Sequence, residues 1–389
     1  MTTLEGKPDI NKSSLSVMPR LHFIDGLRGL AMLMVLIYHC WLFGGEWTID
    51  LPLGRSHVNI ASVFSYGHIG VNLFLVLSGF CLYWPFVKGG SRREPTLWEF
   101  AKKRCRRILP PYYAALVLFG GAALLNALYH RDAEDAVYSL NWLWIHALMA
   151  QNLRPGYVLT INGSLWSLAL EFQLYILFPL LVEAYRRFDA RAVLWTVLIA
   201  CSLYRFCLVR GHFLPDDASG YVLAYSVFGR GFEFALGMFT AMLVARRHGK
   251  GKWLLLPTDY LVLFLVTILA ILDGRHGHFQ TLTDAMWGLL FAALILAGSR
   301  VGTWCHQALS NRILVHLGIF SYSVYLIHLP LVLLLGGYAV AHFSNVGRIL
   351  FLLLFTAPLM LGAGYLFHLM FEKPFMSTPA RQPVPSHTA

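Results

Sequence analysis

The stretch L21-HFIDGLRGLAMLMVLIYHCWL-F43 decides how the rest of the chain is read. It is long and apolar enough to cross a bilayer, yet it carries Asp25, Arg28 and His39. A charged side chain deep in a membrane helix costs roughly 2.5–3.5 kcal/mol on insertion scales, so ionisable groups there are functional suspects. Arg28 and His39 are eleven positions apart, about three helical turns and about 16 Å of rise. They share one face, with the cation near one membrane surface and the imidazole near the other. The plainer alternative has Arg28 snorkelling to the interface and His39 ending a polar helix tip.

Composition extends that reading to the whole chain. Of 389 residues, 57% are hydrophobic and only 13% charged, and the mean hydropathy is +0.58. Soluble domains run at about 25% charged, so the class expected is all-α and polytopic. Ten spans follow from the apolar runs: 21–43, 60–87, 110–129, 161–182, a fifth ending near 209, 221–244, 254–272, 282–297, 313–335 and 349–370. The domain division is a polar tail 1–20, one transmembrane domain 21–375 and a second tail 376–389. The first span is too long for a signal h-region and reads as an anchor that stays.

Charge sets the orientation. With both termini cytoplasmic, 22 of the 31 Lys and Arg fall on the inside, eight of them in 88–109, and 6 fall outside. That is the positive-inside pattern, and it accounts for much of the net charge of +11 without nucleic acid. Six cysteines are scattered with no CxxC pair, and the sixteen histidines form no HExxH, so no metal is expected. GxSxG, a Walker loop and GxGxxG are all missing, which favours direct transfer over a covalent serine intermediate.

The remaining intramembrane polar residues sort by neighbourhood. Arg230 and Glu233 stand at i,i+3 and can pair with each other. Glu171 has no cation near it in its own span, so it is protonated or partnered on another helix. Histidine accepts protons near neutral pH, which suits His39 to deprotonate an attacking hydroxyl. Arg28 could hold the anionic part of an acyl donor, with Arg104 and Arg107 of the basic segment beside it. The same basic segment also suits anionic lipid or topology alone.

Six motifs in order carry a resemblance. They are FIDGLRGLA with His39 beyond it, GVNLFLVLSGF from Gly70, RCRRILP from Arg104, SLWSLALEFQLYILFP from Ser164, RGFEFALGM from Arg230 and SYSVYLIH from Ser321. From about Arg20 to Phe375 the chain resembles the acyltransferase 3 family of integral-membrane O-acyltransferases. Members acylate hydroxyls of O-antigen, exopolysaccharide, Nod factor and macrolides. The resemblance implies a multi-pass protein of the inner (plasma) membrane that takes acyl-CoA, most often acetyl-CoA, from the cytoplasm. The acceptor it implies is a hydroxyl of a carbohydrate or lipid-linked glycan. It implies catalytic His39, Arg28 and Glu171, and donor binding by Arg104, Arg107 and Arg28. Trp166, Ser164, Arg230, Glu233, Tyr325 and His328 are the substrate-binding candidates that the motifs supply. Asn72, Leu75 and Phe172 depart from the family pattern. Some relatives carry an extracytoplasmic hydrolase domain, which leaves room for a separate partner protein here. The alternatives are acylation of a small secreted molecule such as a macrolide, or a transporter or flippase of a polar substrate.

Overall fold

A computed structural model describes residues 21–53, 56–87, 96–131, 133–154, 156–210, 226–247 and 280–376. The described chain is helical apart from one hairpin, β1 (Asp50–Leu53) against β2 (Ser56–Asn59). Among the described residues, eight helices are long and apolar enough to span a membrane. Helix α1 is His22–Phe43, α2 is Gly70–Val87, α3 is Leu97–Tyr129 and α4 is Ala133–Ala147. Then come α5 (Trp166–Arg187), α6 (Ala190–Arg210), α7 (Val227–Arg247) and α8 (Gln280–Gly298). Short α9 (Trp304–Leu309) and α10 (Arg312–Ile319) precede α11 (Ser321–His342). The last helix, α12, runs Asn345–Phe375 with two π-type turns, at Phe351–Thr356 and His368–Glu372. The chain is an all-α polytopic membrane protein. Helix α4 contains the NWLWIH run and is not apolar enough to span. The expected span at 254–272 lies outside the described residues.

Helix α1 is the axis of the packing. Phe23, Ile24, Leu27 and Ala31 join α2, α5, α7 and α8 in the largest apolar cluster. Val35 enters a second cluster with α3, α5 and α11. Met32, Leu36 and Cys40 enter a third with Trp47, α11 and α12. Glycine permits the closest approach. A Cβ on Gly26 would lie 1.7 Å from the Leu309 carbonyl oxygen, and one on Gly318 would lie 1.8 Å from that of Asp25. Small residues let backbones approach in this way where helix association depends on packing.

Three boundaries differ from the sequence expectation. The prolines Pro110 and Pro111 do not open α3; the helix starts thirteen residues earlier, at Leu97. Thr96 and Glu99 form a reciprocal capping box there, worth about 1 kcal/mol. The basic segment is therefore helical from Leu97 onward, and Arg104, Arg106 and Arg107 are held at helical spacing. The fourth span begins at Trp166 rather than Ile161, so Glu171 sits in its second turn. The ninth span is broken at Phe320, into α10 and α11. Ser321 stabilises the break by donating its hydroxyl to the Gly318 carbonyl at 3.0 Å.

Candidate active site

The break at Phe320 opens a cavity. Arg28 of α1, Arg104 and Arg107 of α3, Glu171 and Tyr175 of α5, and Tyr322 and Tyr325 of α11 line it. Three guanidiniums predicted from two separate motifs thus face one space. The nearest carboxylate to Arg28 in its own helix, Asp25, is 4.0 Å away, a long contact. Arg107 makes no ion pair with any described residue. Glu171 is turned to hydroxyls instead: Ser78 of α2 donates to it at 2.9 Å, and Tyr175, one turn along α5, donates to it as well. The cavity is therefore rich in cation and suited to an anion, above all to phosphate, which planar guanidinium forks bind in pairs of hydrogen bonds. A second, apolar space between α3 and α5 meets it at Arg104, Ile108 and Tyr175.

Helix α11 connects this cavity to the histidine end of α1. Its first two turns, Ser321 to His328, start at the cavity wall and rise about 10 Å. Tyr325 lines the cavity and its hydroxyl is 2.6 Å from that of Ser167. His328 is buried, and its Nε2 lies 2.9 Å from His39 Nδ1. The Nδ1 of His328 lies 2.9 Å from the Tyr325 carbonyl oxygen. The ring of His39 also packs at 5.0 Å from Tyr38 and 5.8 Å from Phe43.

The loop before α5 fixes this part of α11. Pro330 has no N–H, so the Leu326 carbonyl loses its helical donor. Asn162 replaces it, donating to Leu326 O at 2.8 Å. Ser164 donates to Tyr325 O at 3.3 Å and to the Asn162 side chain at 2.7 Å. Ser164 is thus a brace behind Tyr325, and Trp166 packs against the main apolar cluster rather than lining the cavity.

Arg230 and Glu233 do not line the cavity either. Arg230 Nε donates to Glu233 at 2.7 Å, and Arg205 of α6 donates to Asp284 of α8 at 2.7 Å. Asn72 of α2 donates to both carboxylates, at 3.3 Å and 2.9 Å. Two arginines and two carboxylates on α6, α7 and α8 therefore balance, and Asn72 joins α2 to them.

Sequence reasoning passed over Tyr175, Ser167, Tyr322 and Asn162. Ser167 and Tyr175 stand four residues either side of Glu171, so they share its helix face, and that spacing was available as a signal. Asn162 is signalled by Pro330 alone, because a proline inside a helix leaves one carbonyl that needs a donor from elsewhere. Tyr322 had no sequence signal.

Across residues 21–368 the chain matches a family described as an acyltransferase domain. The chain belongs to the acyltransferase 3 family. Acyltransferase relatives include BcsY of Komagataeibacter xylinus, 28% identical over 79% of this chain and 72% of that protein. O-acetyltransferase OatA of Staphylococcus aureus is 26% identical over 82% of the chain, and YrhL of Bacillus subtilis is 27% identical over 80%. The chain spans about half the length of those two, 51% and 48% respectively. No solved structure matches it.

Proposed function

We propose that this membrane acyltransferase moves an acyl group, acetyl first among candidates, from acyl-CoA to a hydroxyl of a carbohydrate or lipid-linked glycan. One observation supports this most: the segment 321–328 lines the three-arginine cavity at its start and touches His39 at its end. The phosphates of the donor pair with Arg28, Arg104 and Arg107, and the pantetheine arm runs along α11 toward the imidazole. OatA, similar over most of the chain, is named as an O-acetyltransferase.

In the reaction, His39 Nε2 takes the proton of the acceptor hydroxyl as its oxygen attacks the thioester carbonyl carbon. A carbon–oxygen bond forms and the carbon–sulfur bond breaks. The thiolate leaves and takes the proton back from His39. A positioned base of this kind contributes about 10²–10⁴-fold in rate. The basic segments on the arginine side support a cytoplasmic position for that end, in a plasma membrane. Both hydroxyls donate to Oε1 of Glu171, and this one carboxylate against three guanidiniums in the cavity lining leaves positive charge for an incoming anion.

The test is labelled acetyl-CoA given to membranes that carry the protein. Transfer to membrane glycan should vanish in His39→Ala while CoA binding persists. Normal transfer by that variant removes His39 from the mechanism. Movement of a polar substrate with no dependence on CoA would favour a transporter.

A further inference from the structure

His328 was a substrate-binding candidate, yet its geometry serves another histidine. Its ring is buried, so both nitrogens must find partners inside the protein. A carbonyl oxygen only accepts, so the Nδ1 that lies 2.9 Å from Tyr325 O carries the hydrogen. In a neutral imidazole the other nitrogen then has the lone pair. His328 Nε2 therefore accepts at 2.9 Å from His39 Nδ1, which must carry a hydrogen of its own. By the same rule the lone pair of a neutral His39 is on Nε2. The two contacts select one tautomer of His39 out of two.

Resting on the reading of His39 as the base, we propose that His328 is a positioning residue that holds His39 as the Nδ1–H tautomer and aims Nε2 at the acceptor hydroxyl. When Nε2 takes the proton, the imidazolium donates from Nδ1 to His328, and a hydrogen bond from a charged donor is the stronger kind. The brace by Ser164 and Asn162 keeps the Tyr325 end of this chain in register with the cavity. The logic is that of a base oriented by a third group, with an imidazole in the orienting place.

Two substitutions separate positioning from simple gluing of α1 to α11. In His328→Gln the side-chain oxygen takes the place of Nε2 and still accepts from His39. In His328→Asn the amide nitrogen takes the place of Nδ1 and still donates to Tyr325, but the bond to His39 is lost. The assay is CoA release from acetyl-CoA in native membrane vesicles that carry the acceptor, each rate normalised to the CoA-binding sites present. His328→Gln should keep at least about a third of kcat. His328→Asn and His328→Leu should lose about 10- to 100-fold in kcat, within the range a positioned base supplies. The KM for acetyl-CoA should stay within about threefold, because the arginine cavity is untouched. Asparagine equal to or better than glutamine overturns the proposal, as does a change confined to KM. His39→Ala in the same vesicles keeps the two ideas apart. If it is inactive while His328→Asn is fully active, positioning alone is wrong; if it is active, the reading of His39 falls and takes the proposal with it.

Discussion

Two clusters of arginine among the described residues differ in balance. Around Arg230 two arginines meet two carboxylates, and Asn72 bonds to both acids. Around Arg28 three arginines face a cavity in which Glu171 is engaged by hydroxyls. The first cluster pairs cation with carboxylate and ties α2, α6, α7 and α8 together. The second has surplus positive charge and open space beside it. An intramembrane arginine is therefore read best by what its neighbours leave unneutralised, not by its presence alone.

The comparison can be broken from either side. The largest effect belongs to the balanced cluster. Glu233→Leu leaves Arg230 without its closest partner, and losing one member of a buried pair costs about 3–5 kcal/mol. Denaturation of the detergent-solubilised protein should register that loss; an unchanged midpoint would mean the network does not hold the helices. Asn72→Asp replaces a double donor by an acceptor beside two acids, and about 1–3 kcal/mol of stability should go. It tests the one family departure whose role the structure explains.

Changes on the cavity side should leave stability alone and reach the donor. Arg28→Lys keeps the charge but removes the planar fork, so acetyl-CoA should bind about 5- to 10-fold more weakly with no shift in midpoint, roughly 1 kcal/mol of a charge-assisted bond. Equal affinity would remove Arg28 from the phosphate site. Raising salt from about 0.05 to 0.3 M shortens the screening length from over 10 Å to under 8 Å, and CoA affinity should drop a few-fold while the melting midpoint stays put. Parallel decline of both would mean the two clusters are not distinct.

Much of the fold was legible in the sequence because bilayer length and hydropathy constrain it so strongly. The spacing of Arg28 and His39 along α1 was legible too, since helical rise alone sets it. What stayed hidden depended on contacts between distant segments. The capping box at Thr96 extended α3 through its prolines, and local apolarity gave no hint of that. The break at Phe320 is stabilised by a single hydroxyl, within a run that reads as continuously apolar. Arg230 and Glu233 stood in sequence as an i,i+3 pair and as substrate-binding candidates. Only Asp284 and Arg205, far along the chain, complete their balance.

The central claim is that the surplus positive charge holds the donor, and titration of CoA tests it most directly. Arg107 lines the cavity without an ion pair to any described residue, so Arg107→Gln removes a donor-facing charge and breaks no salt bridge among them. A charged hydrogen bond is worth about 1.5–3 kcal/mol, so the dissociation constant for CoA should rise about 10- to 100-fold at an unchanged melting midpoint. An unchanged dissociation constant would contradict the account.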